Sequence, residues 1–285
     1  MKIALIPNLT KKNAKYQTER IAQVLRRFET ELLMNSADRE SFPQLGAAFL
    51  GSEEELFQEC DAVISVGGDG TIIRAAKHAA RFGKAVLGIN VGRLGFVAGL
   101  EVDELDQLDH LISGNYEVEQ RMMLSITLAD RESGTQFCAL NDAVVSRGSM
   151  SRILDFQVSL NETNVCGYRA DGLILATPTG STGYSLSAGG PVIDPVMQCV
   201  VLTPICPHSL FTRPVVFSPG SRLTVTAASN YEGEIFLTAD GETSLQLHDG
   251  ERIEVTRSDV PVRLIKLKKM NFYEVVNEKL AERRS

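Results

Sequence analysis

The segment Gly67-Gly68-Asp69-Gly70-Thr71 follows the apolar run at 62–66 and opens a helical pattern. Glycines at the carboxyl end of a buried strand let backbone N–H groups come close to a phosphate. The helix N-terminus behind them favours negative charge. Among phosphates a carboxylate is repelled unless an ion offsets it or it has a chemical task. Asp69 could hold Mg²⁺ or accept a proton from an attacking hydroxyl. A tight turn in which Asp69 only caps the helix accounts for the same letters. Arg74, early in that helix, and Arg93, in the second glycine turn Asn90-Val91-Gly92-Arg93-Leu94-Gly95-Phe96, could each reach anionic oxygens. Taken singly, each is an ordinary solvated arginine. Asn90 and Phe96 flank the second turn, and Phe96 could cover a planar ring or sit in the core.

A second segment has a different chemistry. Arg169-Ala170-Asp171-Gly172 precedes a strand at 173–176, which runs into Thr177-Pro178-Thr179-Gly180-Ser181-Thr182-Gly183-Tyr184-Ser185-Leu186-Ser187-Ala188-Gly189-Gly190-Pro191. Seven of these fifteen loop residues carry a hydroxyl, a density that suits ribose, amide and phosphate groups better than an apolar ligand. An ordinary polar turn is the alternative. Asn141-Asp142, just before Val144, could hold ribose hydroxyls. Neither GxGxxG at 67–72 nor GxxxxGK[ST] anywhere is present, so neither the dinucleotide fingerprint nor a P-loop explains the glycines.

The elements that must position these loops follow from periodicity. A short apolar strand at 2–7 precedes a helical pattern carrying Ile21, Val24 and Leu25 and running to about Leu33. Ser52 with Glu55 three residues on is a capping-box pattern for a helix at 53–59. Strand, glycine turn, helix at 72–81 and strand at 85–89 form a βαβ unit of a parallel sheet, and a short helix is expected over 102–112. From about Val118 the texture changes. Short runs at 123–128, 137–145, 153–160, 173–176, 215–217, 222–227, 235–239 and 253–257 predict a β-rich domain. The amphipathic tail, with Phe272, Val275, Val276 and Leu280, needs a surface to cover and is expected to pack back on the first domain. The expected division is an N-terminal α/β domain at 1–117, a β-rich domain at 118–269 and the tail at 270–285.

Composition sets bounds. The two glycine-rich windows, 67–99 and 167–190, hold only two acids, Asp69 and Asp171, against six Lys and Arg. They are therefore locally positive within a chain of formal charge −7, which argues against nucleic acid as the main partner and for a small anionic ligand. No stretch of 18 apolar residues exists, so no membrane partner is expected, and the opening reads as a strand rather than a signal peptide. Five scattered cysteines without a CxxC pair suit a reducing cytoplasm. The four histidines lack metal-ligand spacing, so no protein-built metal site is expected. A divalent ion would rest on carboxylate and phosphate oxygens.

In this order, Gly67-Gly68-Asp69-Gly70-Thr71, Gly88-Ile89-Asn90, Leu94-Gly95-Phe96, Asn141-Asp142, Asp171-Gly172, Thr177-Pro178-Thr179-Gly180-Ser181-Thr182 and Leu186-Ser187-Ala188-Gly189-Gly190-Pro191 resemble the bacterial NAD kinase family over nearly the whole chain. The first motif alone is shared with diacylglycerol, sphingosine and 6-phosphofructo kinases. The resemblance implies a Rossmann-like α/β domain with a parallel sheet, joined to a C-terminal β-sandwich domain, with the active site between them. It implies Mg²⁺-dependent phosphoryl transfer from ATP to the 2′-hydroxyl of the adenosine ribose of NAD, and assembly into homodimers or homotetramers. By the same resemblance Asp69 is the general base. Asn141, Asp142 and Asp171 would contact the dinucleotide, and Thr182, Gly183, Tyr184, Ser185, Leu186 and Ser187 would line its pocket, with Tyr184 near adenine. Arg152 and Arg169 would contact nucleotide. The chain departs from the family pattern with Asp142 where Glu is usual, Gly183 where Ala is usual and Glu242 where Gln is common. A lipid or sugar kinase of the same superfamily, or a non-catalytic dinucleotide-binding regulator, is the competing expectation.

Overall fold

The computed structural model describes residues 1–92, 95–131, 135–148, 152–208, 212–229, 233–268 and 271–282. Arg93 lies outside them. The chain divides into one unit made of Met1–Gln120 and Val262–Ser285, and a second made of Arg121–Pro261.

The first unit is built on an eight-stranded sheet. Its central strands, Lys2–Pro7, Ala62–Gly67 and Ala85–Asn90, are parallel neighbours, with Ile3 opposite Ala62 and Ala62 opposite Ala85. Ala62–Gly67 and Ala85–Asn90 are buried at every position, as expected of parallel strands covered on both faces. Glu31–Asn35 and Ala48–Leu50 extend the sheet beyond Lys2–Pro7 on the other side. The strand order therefore reverses between Lys2–Pro7 and Ala62–Gly67, and the carboxyl ends at such a switch point form a crevice suited to a ligand. The helical pattern expected to reach Leu33 stops at Leu25, because Leu32, Leu33 and Met34 are buried in the Glu31–Asn35 strand. Ser52 caps the helix Glu53–Glu59 as its sequence predicts, accepting from Glu55 N–H at 3.1 Å, while Glu55 accepts from Gly51 N–H at 2.7 Å.

The second unit is a β-sandwich of two six-stranded antiparallel sheets. Alternate residues of both sheets, among them Leu124, Ile126, Phe156, Val158, Val225 and Val255 from one and Val145, Leu173, Leu175, Leu202 and Leu237 from the other, form one core. The run at 137–145 is two strands, Gln136–Ala139 and Asp142–Arg147, broken at Leu140-Asn141. Thr163–Ala170 escaped the sequence reading because it is an edge strand with mostly exposed, polar side chains. Val200–Ile205 was hidden by Pro204. Its outer neighbour Val215–Phe217 reaches only Val200 to Leu202, so Pro204 sits where one side of the strand needs no ladder donor. The unit closes at Pro261, earlier than the expected 269, because Val262–Lys266 returns to the first sheet and pairs parallel with Ala85–Asn90.

One ion pair in the sandwich has a buried carboxylate, Glu251, held by a half-buried arginine. Arg131 Nη2 donates to Glu251 Oε2 at 2.9 Å, and His248 N–H donates to the same oxygen at 2.9 Å. The Arg131 hydrogen bond, opposed by burial, holds the Glu251 carboxyl below its usual range. A depressed carboxylate stabilises the fold above its unfolded pKa of about 4.3, and that contribution is lost as pH falls through the lower folded value. Glu251→Gln is expected to cost about 1–3 kcal/mol at neutral pH, the range for a hydrogen bond to a charged group. Urea unfolding at neutral pH and in acid checks this, with the variant and the parent converging as acid is added.

Candidate active site

The helix Asp69–Ala80 begins directly after the strand Ala62–Gly67, with Gly68 as its N-cap in extended backbone. Alanines favour helix here, and Ile72, Ile73, Ala76, Ala79 and Ala80 turn one buried face to the sheet. Asp69 occupies the first helical position, where negative charge is favoured and the leading N–H groups lack helical partners. Its side chain is fixed from the second glycine turn. Phe96 N–H donates to Oδ2 at 2.8 Å and Val97 N–H to Oδ1 at 3.3 Å. A Cβ at Gly95 would lie 2.0 Å from Asp69 Oδ1, so only glycine permits this approach. Gly95→Ala is accordingly expected to displace the carboxylate and, with Asp69 as the reacting group proposed below, to lower turnover by about tenfold or more. Steady-state kinetics with an unfolding curve separates this from a loss of fold.

Asn8, at the carboxyl end of the neighbouring central strand, went unnoticed in the sequence. Its Nδ2 donates to Thr71 Oγ1 at 2.9 Å, and its Oδ1 accepts from Thr10 N–H and Oγ1 at 3.1 and 2.7 Å. The signal available was an amide directly after the first strand, legible only once the strand order is known. Gly67 ends the strand and Gly68 caps the helix, but Gly70 and Thr71, expected in the loop, lie in the helix's first turn, and Asn90 is 1% exposed. Its Nδ2 donates to the Glu101 carboxylate at 3.1 and 3.2 Å and to Gly92 O at 3.2 Å. Arg74 faces Glu53, with Nη2 to Oε1 at 3.3 Å, and Glu53 also pairs with His78 Nδ1 at 3.0 Å. These contacts, the His78 hydrogen bond foremost, hold the Glu53 carboxyl below its usual range.

In the second unit, Asn141 and Asp142 sit on a turn organised by Asp240, which the sequence marks only as a neighbour of Glu242. Asp240 accepts from Leu140 N–H through Oδ2 at 2.9 Å, and through Oδ1 from Asn141 and Asp142 N–H at 2.7 and 3.1 Å. Thr177 locks the adjacent loop to the same turn. Its N–H donates to Asn141 O at 2.8 Å, its Oγ1 donates to Leu140 O at 2.5 Å, and the same Oγ1 accepts from Gly180 N–H at 3.1 Å. A Cβ at Gly180 would lie 2.1 Å from Asn141 O, so the two segments touch backbone to backbone. The Asn141 Oδ1 is buried without a hydrogen-bond partner among the described residues, an acceptor held ready in a polar turn.

The hydroxyl-rich loop folds as a 3-10 turn Thr179–Thr182 and a short helix Tyr184–Ser187. It uses many of its hydroxyls internally. Ser181 Oγ donates to Pro178 O at 2.7 Å and accepts from Ile193 N–H at 3.0 Å, and Ser185 Oγ lies 2.9 Å from Thr203 Oγ1 in the interior. Buried Arg121 donates to Thr179 Oγ1 at 3.2 Å, and Thr182 Oγ1 donates to Thr179 O at 3.2 Å. Tyr184 and Ser187 are exposed, and Gly183 and Leu186 are half-buried. Asp171 is not with this group. It precedes the strand Gly172–Ala176 whereas Thr177 follows it, and it is paired with Arg147 Nε at 2.8 Å. Arg169 lies at the same end, 3.7 Å from Asp155, and Arg152 is exposed.

A glycine-and-carboxylate loop at the switch point of a parallel sheet, followed by a β-sandwich unit with a rigid amide–carboxylate turn, defines a two-domain nucleotide-binding kinase fold. Residues 3–116 match the model of the ATP-NAD kinase N-terminal domain and residues 140–267 that of the ATP-NAD kinase C-terminal domain. An NAD kinase of Moorella thermoacetica is 41% identical over 282 residues, covering 99% of this chain and 89% of that relative. With these matches, the chain belongs to the NAD kinase family. The crystal structure of an NAD kinase from Archaeoglobus fulgidus in complex with ATP aligns with TM-score 0.77 and 29% identity, covering 99% of each chain. Yeast NADH kinase complexed with NADH shares the fold at TM-score 0.89 and 24% identity, over 99% of this chain and 87% of that one.

Proposed function

We propose that this protein is an NAD kinase that transfers the γ-phosphoryl group of ATP to the 2′-hydroxyl of the adenosine ribose of NAD, giving NADP and ADP. The new bond joins the ribose 2′-oxygen to phosphorus, the bond from phosphorus to the ADP oxygen breaks, and the 2′-hydroxyl proton goes to Asp69. The observation that carries this reading is the Asp69 carboxylate, fixed by two backbone N–H groups at the head of a helix in a glycine loop. A carboxylate accepts through about four lone-pair sites, so two N–H contacts orient it and leave capacity for a hydroxyl. Phosphoryl transfer asks the protein mainly for positioning and electrostatics, and a rigid base meets the first demand.

Residues 67–71 would supply N–H groups to phosphate oxygens, with Arg74 released from Glu53 to join them. Asn141 Oδ1 would accept a ribose hydroxyl, with Asp142 beside it, and Tyr184 and Ser187 offer the loop's exposed contacts. Asp171, Arg152 and Arg169 would meet nucleotide elsewhere on the second unit. Asp69 is the sole carboxylate of its loop, a donor set that suits a hard cation keeping most of its ligands from phosphate and water. Mg²⁺ carried by the triphosphate would neutralise charge on the transferring group.

Among the described residues no helix is long and apolar enough to cross a membrane. The cytoplasm, and a homodimer or homotetramer, complete the proposal. The test is NADP formation by the purified chain with Mg²⁺-ATP or polyphosphate as donor and NAD or NADH as acceptor. Binding of NAD without NADP formation from any donor would favour a regulator. Turnover of a lipid or sugar with NAD as a mere competitor would favour the related kinases.

A further inference from the structure

The C-terminal helix Phe272–Glu282 touches the same turn that holds Asp69. The Phe272 and Phe96 ring centroids are 6.4 Å apart with planes tilted by 52°, and the Lys279 ammonium lies 4.3 Å from the centre of the Phe96 ring. Tyr273 packs edge-on against Phe272 at 5.4 Å. Phe272 and Lys279 are two helical turns apart and so share a face, while buried Val275 and Val276 seat the helix. Phe96 is also the residue whose N–H donates to Asp69 Oδ2, and Val97 follows with its own N–H on Oδ1. Ring and N–H leave the same Cα, so a backbone rotation that frees one moves the other. On the near side Gly95 is pressed against the carboxylate, so the turn has little room to adjust there.

We propose that the C-terminal helix is a positioning element for phosphoryl transfer. Phe272 and Lys279 clamp the Phe96 ring and thereby hold the Phe96 and Val97 N–H groups that orient Asp69. The clamp rests on the reading of Asp69 as the base. Phe272 and Lys279 act through Phe96 and touch no reacting atom. A cation over a ring face and an aromatic pair are individually modest contacts, yet a base displaced by a fraction of an ångström loses rate steeply.

The experiment uses the full chain with Lys279→Met, Phe272→Leu and Lys279→Arg, in steady-state kinetics and amide hydrogen exchange. Lys279→Met and Phe272→Leu should each lower kcat by about three- to tenfold, with KM for NAD and ATP within about twofold, the signature of an interaction that matters in the transition state. The Phe96 and Val97 amides should exchange faster, the melting temperature should hold, and Lys279→Arg should behave like the parent because it keeps a cation over the ring. Unchanged kcat in both variants overturns the clamp whatever the exchange rates. So does a loss confined to KM, or one that follows a fall in melting temperature and is not rescued by Lys279→Arg. Asp69→Asn in the same series tests the base separately. An inactive Asp69→Asn beside unaffected tail variants sinks the clamp alone, whereas turnover surviving Asp69→Asn removes the base assignment and the clamp with it.

Discussion

Asp69→Asn is expected to lower NADP formation by at least about 10²-fold, the low end of what a positioned general base contributes. The substitution keeps size and keeps one oxygen for the Phe96 or Val97 N–H, so the loop and helix should stand. On the proposed reading, it removes the acceptor for the ribose proton. The amide nitrogen would face one of two backbone donors, which costs an orientation but not the fold. NAD binding measured by calorimetry should therefore survive while single-turnover phosphoryl transfer fails. Turnover at the parental rate would show that the carboxylate only braces the Gly95-Phe96 turn. Asp69→Ala is a poorer probe, since it strands both N–H groups at once.

This part of the site was legible in the sequence because the strand, glycines and helix start that place Asp69 are neighbours in the chain. A buried strand, two glycines and a helix start define the place of Asp69 within a few residues. The partner turn containing Gly95 was visible for the same reason, although its grip on the carboxylate was not. The second unit read less well. Hydroxyl density at 177–187 pointed to ligand donors, but Ser181, Ser185 and Thr177 bond within their own unit and give the loop its shape. Sequence counts donors without telling which are already engaged. The family resemblance puts Asp171 with Asn141 on the dinucleotide, yet the Gly172–Ala176 strand stands between Asp171 and Thr177.

Asp240 shows the limit most clearly, and the second large effect is expected there. Its three hydrogen bonds reach residues about a hundred positions away in the chain, and no local pattern marks them. Asp240→Ala should destabilise the second unit by about 3 kcal/mol, since each N–H left without its charged acceptor costs about 1–3 kcal/mol before water recovers part of it. The backbone adds to this. Asp240 has φ 51°, a left-handed conformation that Asp and Asn tolerate and Ala does not favour. Asp240→Asn keeps that tolerance and one acceptor oxygen, so it should fall between parent and Ala. Urea unfolding orders the three. NAD affinity should fall with stability, by about tenfold for Ala, because a slack turn must be re-ordered on binding. Normal affinity in Asp240→Ala would show that Asn141 and Asp142 do not need the turn to hold their ligand.

The strand Val262–Lys266 has a consequence for how the chain is made. Its partner Ala85–Asn90 emerges from the ribosome long before it, and Arg263 bonds to Gly83 O across 180 residues of sequence. Until synthesis is almost complete, the parallel sheet has one flank of a central strand open. The sandwich, whose strands are all encoded between the two halves, can close first. Folding should therefore run out of chain order, with the middle of the polypeptide reaching its native state before the beginning does. A released chain ending at residue 261 should protect the sandwich from protease while leaving the first 120 residues sensitive. The Gly67–Thr71 junction would then mature last, at the moment the final strand docks and the tail helix follows it.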